Sequence, residues 1–265
     1  MAGEVTTWHH GLIARWWSNF NRNGPEIDFF RRYVADGQPA LDVACGSGRL
    51  LVPWVASGLD VDGVDASADM IAACREAARS IGCKPNLFTQ PTHMLELPRR
   101  YRTAVMCGGL GLGGSRDQDV EGLRRVLAHL EPGGVLALDS EVGEFDDERW
   151  RTWQRRDRDE VPPGREDREL APDGFEYALR HRVLELDLTA GRAVREMQAW
   201  QWRDGDLVAY EVHELVENLY SRAGVEALLE RAGFVDVEVL GGYHGGPPTG
   251  DEEFLVYVAS RPTTA

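Results

Sequence analysis

The sequence predicts an α/β domain wound on both faces of a mostly parallel seven-stranded sheet, with an antiparallel β layer inserted late in the chain. Three observations carry that expectation. Between residues 25 and 140, short apolar runs alternate with helix-length amphipathic segments, the pattern of βαβ units. Beyond residue 172, three long β-patterned stretches are joined by tight turn signals. A helical pattern then returns and is followed by two further strand-like runs. With 265 residues and about 150 per domain, the chain suits one large domain with an insertion.

The elements follow in order. Pro25, placed where a missing N–H costs nothing, opens a helix through Val34. The run ALDVAC (Ala40 to Cys45) reads as a buried strand, and Arg49 to Ala56 as a helix closed by Gly58. VDGVD (Val61 to Asp65) is a second strand. Ser67 then caps a helix to Ile81, whose Met70, Ile71, Cys74 and Ala78 recur at helical spacing. Asn86 to Thr89 and Thr103 to Cys107 are strands three and four. Asp117 to Leu130 is a helix, Pro132-Gly133-Gly134 a turn, and Val135 to Asp139 strand five. Residues 141–172, charged and rich in turn residues, read as a flap. Tyr177 to Leu188, Ala193 to Trp202 and Leu207 to Leu219 form a three-stranded antiparallel layer, with Asp204-Gly205 as a hairpin turn. Ser221 to Ala232 is the last helix, ended by Gly233, and Val235 to Leu240 and Phe254 to Ala259 are the final strands. The expected organisation is a leading helical segment (1–24), a main domain (25–140 and 220–265) and the inserted flap and β layer (141–219).

Composition narrows the function. Hydrophobic residues make up 43% and charged residues 28%, enough for a sizeable core in water. Lys and Arg number 29 against 44 acids, for a net charge of −15, which would repel a nucleic-acid backbone or an anionic membrane. No apolar run reaches about 18 residues, and MAGEVTTWHH lacks the basic and apolar parts of a secretory leader. The four cysteines, Cys45, Cys74, Cys83 and Cys107, show no CxxC or zinc spacing, so no metal is expected and a reducing cytoplasm fits.

The most specific feature is LDVACGSGRL (Leu41–Leu50) followed by VDGVDASADM (Val61–Met70). A strand running into a Gly-x-Gly turn lets the backbone approach a ligand closely, because Gly46 and Gly48 carry no Cβ. Asp65, 19 residues beyond Gly46, ends the next strand, where a carboxylate can receive two ribose hydroxyls. A dinucleotide fingerprint needs a third glycine, and Leu51 stands there instead. Asp42 inside the first strand would repel phosphates and suits a ligand with an ammonium group.

These residues resemble the class I S-adenosylmethionine-dependent methyltransferases, whose fold is Rossmann-like. DVACGSG looks like their first motif and VDASADM like the ribose and adenine motif that follows. The inserted layer makes the chain similar to small-molecule methyltransferases such as glycine N-methyltransferase and the amino-sugar N-methyltransferases. The resemblance implies S-adenosyl-L-methionine as donor. Asp42 would orient its ammonium, and Ala44, Gly46 and Gly48 would line the methionine portion. Asp65 would take the ribose, and Ala66 and Met70 would pack on adenine. Cys107 and Gly108 would pass the donor methyl. The family's acid after strand three is absent, since the chain reads Gln90-Pro91-Thr92. Adenine recognition then rests on the backbone at Thr92, on Gln90, or on a group the motifs do not show. The segment WHHGLIARWWSNFN resembles the family's leading helix, with Trp17 facing the sulfonium and Arg15 pairing with the donor carboxylate.

Methyl transfer needs proximity and, where the acceptor holds a proton, a base. His213 in the inserted layer, Glu141 just past strand five and His244 after the sixth main-sheet strand are the candidates, while His93 and His129 are poorly placed. An amine acceptor needs no base beyond water. The acids Glu141, Glu211 and Glu214 favour a neutral or cationic small-molecule acceptor. Each of these residues also has an ordinary reading. Trp16 and Trp17 suit a core, Cys45 and Cys107 suit buried small apolar positions, and the acidic run Asp157 to Glu169 suits a solvated flap. The rival functions are a nucleotide-dependent oxidoreductase on the same fold and a non-catalytic donor-binding module with Glu141 to Ala171 as a docking arm. A homodimer is an assembly the sequence allows.

Overall fold

A computed structural model of the chain describes residues 7–141, 163–250 and 252–263. The middle of the expected flap and docking arm, 142–162, lies outside the described residues, as do residues 1–6, part of the segment read for a leader.

The main sheet has seven strands: β1 (Ala40–Val43), β2 (Val61–Asp65), β3 (Leu87–Thr89), β4 (Tyr101–Met106), β5 (Leu130–Glu141), β10 (Val235–Gly241) and β11 (Phe254–Ser260). Their order is β10-β11-β5-β4-β1-β2-β3. The five strands β1 to β5 run parallel, and β11 pairs antiparallel with both β5 and β10. Helices α2 (Glu26–Asp36), α3 (Leu51–Ala56) and α4 (Ala68–Ser80) cover one face. Helices α5 (Arg116–His129) and α6 (Arg222–Ala232) cover the other. β1 is buried at all four positions because both faces are covered, which is why its sequence is a continuous apolar run broken only by Asp42.

Helix starts follow their caps. Ser67 accepts from the Met70 N–H, and Ser115 forms a reciprocal capping box with Gln118. Ser221 accepts from the Gly224 N–H, and Gly233, at φ 103°, ends α6 in the left-handed region. Two boundaries differ from expectation where glycines turn the chain. β1 stops at Val43 rather than Cys45, because Ala44 and Gly46 take φ values of 56° and 55° that no strand accommodates. The Pro132-Gly133-Gly134 turn is absorbed into β5 as an irregularity, with Leu130 opposite Tyr101 and pairing resuming at Val135 and Thr103.

The inserted layer is a second sheet, antiparallel, in the order β6 (Glu169–Leu170), β7 (Glu176–Asp187), β8 (Arg192–Arg203) and β9 (Asp206–Asn218). The short β6 is a fourth strand beyond the three expected. Helix α1 (Gly11–Phe20) packs Leu12 and Ile13 on this sheet, against Tyr177, Met197, Ala199 and Leu215. Among the described residues, no helix is long and apolar enough to cross a membrane.

Away from the loops that carry the site, Asp62 of β2 is 2% exposed and accepts from Asn86 Nδ2, Arg99 Nε and the Tyr101 hydroxyl, each at 2.9 Å. One buried carboxylate thus joins three chain segments, and removing it strands the Asn86 and Tyr101 donors, while Arg99 keeps its pair with Asp60. We expect Asp62→Ala to lower unfolding free energy by about 3 kcal/mol, the usual cost of breaking a buried pair by removing one partner. Urea denaturation measures it, and an unchanged midpoint would refute the assignment.

Candidate functional site

The C-terminal ends of β1, β2 and β4 face a cavity of about 250 Å³. The wall begins with the loop after β1. Gly46 and Gly48 both have positive φ, but only Gly46 lines the cavity, where an added Cβ would meet nothing nearer than the Met70 Cε at 3.8 Å. Gly48 points away, and a Cβ there would strike Cys74 Sγ and Val52 Cγ2, each at 2.7 Å, so its glycine serves helix packing.

Asp65, at the end of β2, accepts from the Gly46 N–H at 2.9 Å and the Ser67 N–H at 2.8 Å, one on each carboxylate oxygen. Burial raises its pKa, and these two bonds oppose the shift. Asp42 lies deeper, 2% exposed, facing the Leu51 N–H at the start of α3. Its Oδ2 is buried without a hydrogen-bond partner. Burial first, and the Asp65 carboxylate second, push the Asp42 carboxyl well above the usual range. A cationic partner at Oδ2 would reverse both effects.

At the end of β4, Cys107 Sγ donates to Asp139 Oδ2 at 3.0 Å, and the Gly108 N–H donates to Asp139 Oδ1 at 2.6 Å. The Tyr243 hydroxyl donates to the same Asp139 Oδ2 at 2.6 Å. Burial raises the Cys107 thiol well above its ordinary pKa, as does the adjoining Asp139, so the sulfur stays protonated. Arg49 also lines the cavity, ion-paired to Glu26 and 3.6 Å from Cys107 Sγ. In the sequence Arg49 stands only as the first residue of the helix expected to Ala56.

The remaining candidates divide clearly. Trp17, Asp42, Ala44, Asp65, Ala66, Met70, Thr92, Cys107 and Gly108 share the cavity wall with Gly46. Arg15, Gly48 and Gln90 stand outside it. Arg15 is exposed on α1, and Gln90 folds back on Glu96, accepting from its N–H at 2.8 Å and donating to its carbonyl at 3.1 Å. The three candidate bases also stand outside it. His213 faces Glu211 at 3.3 Å, Glu141 faces Arg195 at 3.6 Å, and His244 Nδ1 lies 2.8 Å from the Gly241 carbonyl. Asn21, Gln118 and Asp119 line the cavity without a prior signal in the sequence.

The leading segment closes one side. The Gly11 N–H donates to Asp69 Oδ2 of α4 and the Leu12 N–H to Glu211 Oε2 of β9, both at 2.8 Å. The Ser67 hydroxyl donates to the His9 carbonyl. Glu211, expected at the acceptor, therefore serves to cap α1. On the opposite side the loop between β4 and α5 is stitched to the inserted sheet. The Gly113 N–H donates to the Val216 carbonyl at 2.7 Å and the Asn218 N–H to the Gly111 carbonyl at 2.8 Å.

A family model described as a methyltransferase domain matches residues 40–134. The 2-phytyl-1,4-naphtoquinone methyltransferase of Nostoc sp. is 32% identical over 108 residues, which are 38% of this chain and 46% of that protein. The chain spans less than half the length of the curated relatives it matches. Two crystal structures are similar along nearly their whole length. One is an S-adenosylmethionine-dependent methyltransferase from Clostridium acetobutylicum, with TM-score 0.68 and 18% identity, covering 94% of this chain and 97% of that one. The other is the sugar N-methyltransferase KedS8 from Streptoalloteichus sp., also with TM-score 0.68 and 18% identity, covering 99% and 98%. The fold is that of the class I S-adenosylmethionine-dependent methyltransferases.

His9 gives the leading segment a pH dependence. Trp8 Nε1 donates to His9 Nε2 at 3.1 Å, so the ring proton sits on Nδ1, facing Thr7 Oγ1 at 2.7 Å. Burial, then His10, lowers its pKa from 6.5 to about 4. A docked segment keeps His9 neutral, whereas an undocked one takes up a proton below pH ~6.5. Docking is thus fully favoured above pH ~6.5 and weakens as pH falls toward 4, by about 3 kcal/mol in total. Hydrogen exchange of the amides of residues 7–20 should show this loss in the wild type and a much flatter profile in His9→Gln.

Proposed function

We propose that the chain is an S-adenosylmethionine-dependent methyltransferase acting on a nitrogen or oxygen atom of a small-molecule acceptor, with an amine as the preferred acceptor. One observation carries the reading: a single cavity joins Asp65, held by two backbone N–H groups, with Asp42, whose buried Oδ2 has no partner. A carboxylate oxygen in that state calls for a cation or donor from the ligand. The ammonium of the donor supplies one, so the residues present fit the group.

Asp65 would receive the ribose hydroxyls, Asp42 the ammonium, and the close backbone at Gly46 leaves room for the chain between them. Arg49, rather than the exposed Arg15, is the guanidinium on the wall and would face the donor carboxylate. When bound, the donor supplies a methyl group on a cationic sulfur, open to in-line attack by a lone pair. The protein's part is to bring that lone pair into line and to exclude water, and the leading segment, whose Thr7, His9, Trp17 and Asn21 line the cavity, would serve the second. His213, Glu141 and His244 are engaged elsewhere, and this supports an amine, which attacks as the free base and needs no enzyme base. Amino compounds, including those of natural-product metabolism, are the acceptor class this favours, and a cytoplasmic setting suits it.

Calorimetric titration with S-adenosylmethionine, and in parallel with NAD, tests the reading. We expect binding of the sulfonium donor only. Asp65→Ala should weaken it at least tenfold, since it removes a charged acceptor worth about 1.5–3 kcal/mol per hydrogen bond. Binding of NAD alone would move the chain to the oxidoreductases. Donor binding with no turnover on any amine or alcohol would make it a binding module.

A further inference from the structure

The wall of the cavity near β3 is completed by another element. The short turn Thr92–Met94 that follows β3 packs directly on α5. At Gly122 the approach is so close that an added Cβ would lie 3.2 Å from Thr92 Cγ2 and 3.5 Å from the His93 nitrogen. One turn earlier on the same helix, Gln118 and Asp119 line the cavity beside Thr92 and His93. Gln118 Nε2 and His93 Nε2 are 3.1 Å apart.

Asp119 is held firmly on one side only. Its Oδ2 accepts from the Tyr220 hydroxyl at 2.6 Å and from Asn218 Nδ2 at 2.8 Å, and Asn218 Nδ2 also donates to the Gly114 carbonyl at 2.9 Å. Asn218 and Tyr220 are themselves buried, 8% and 6% exposed, so the carboxylate cannot swing. Among the described residues, Oδ1 accepts no hydrogen bond. The neighbouring wall includes the apolar residues Ala66, Met70, Pro91, Gly122 and Leu123. The arrangement sets one fixed anionic acceptor beside an apolar stretch of wall, which suits a ring that carries a hydrogen-bond donor.

We propose that Asp119 is the specificity-determining residue for the purine of the donor, its Oδ1 accepting a hydrogen bond from the 6-amino group. This rests on the donor-binding reading above and deepens it. A carboxylate accepts and cannot donate, so it welcomes an exocyclic amine and repels an oxo group at the same position. The carboxylate comes from α5 because the position after β3 is Pro91, which has neither a side-chain acceptor nor an N–H. Tyr220 and Asn218 act as positioning residues, holding Oδ2 and leaving Oδ1 for the ligand.

The test is calorimetric titration of the full chain with S-adenosylhomocysteine and with its 6-oxo analogue, S-inosylhomocysteine. The wild type should prefer the amino compound at least tenfold. Asp119→Asn should reduce that preference to about threefold or less, because its amide can turn a donor toward the oxo group. Asp119→Glu, which keeps a carboxylate on the same helix face, should retain a preference for the amino compound. Equal binding of both analogues by the wild type would overturn the proposal without any variant, as would a full preference in a folded Asp119→Asn. Should that variant not fold, Asp119→Ser replaces it with the same expectation. Absence of binding to either analogue would count against donor binding itself, whereas binding of both without preference counts only against Asp119.

Discussion

The Asp65 carboxylate is the constraint on which the rest of the site depends. By receiving the Gly46 and Ser67 N–H groups on separate oxygens, it locks the loop after β1 to the loop after β2. That lock holds Ala44 at φ 56°, a conformation a residue with a Cβ adopts only when its surroundings insist. Asp42, whose buried Oδ2 has no hydrogen-bond partner, lies on the wall of the same cavity. The energetic consequence is a site built before the ligand arrives. Asp65 raises the proton affinity of Asp42, and the two buried carboxylates are tolerated side by side because Asp65 has two backbone donors. Preorganisation of this kind spares a ligand the entropy of ordering the loops.

Much of the fold was legible because periodicity reports burial. The parallel strands are continuous apolar runs, as strands covered on both faces must be, and Ser67 and Ser221 mark two helix starts, whereas the Ser115 cap lies just before the start expected at Asp117. The loops that made the boundaries differ, at Ala44 and at Gly133, depend on local φ values that a single residue type does not dictate. The site divided in the same way. Residues in contiguous motifs, such as Asp42, Gly46, Asp65, Ala66 and Met70, are brought to one cavity by a strand and its loop. Residues whose role depends on distant segments were not legible. Arg49 is recognisable as a wall residue only once Glu26 holds it, and Asp119 only once β9 brings Asn218 and Tyr220 to it. Conversely, His213, Glu141 and Glu211 looked available in the sequence and are occupied by structural neighbours.

The leading segment belongs to both layers. Its first amides are capped by Asp69 from the main domain and by Glu211 from the inserted sheet, so α1 sits where the two meet. Its apolar face is given to the inserted sheet, through Leu12 and Ile13, and its Trp17 to the cavity. Helix N-termini carry partial positive charge, and two carboxylates there are a favourable arrangement. The acidic composition of the chain thus serves internal joints as well as its surface.

The backbone bonds from Gly111 and Gly113 to β9 bear on how such a protein can be rebuilt. They tie the glycine loop after β4 to the edge of the inserted sheet through one antiparallel bridge, Leu112 opposite Glu217. The sheet and that loop are therefore one unit for engineering. Grafting a foreign layer onto this scaffold requires that residues 108–114 travel with it. A seam cut at the apparent ends of the insertion would sever main-chain pairing inside the cavity wall.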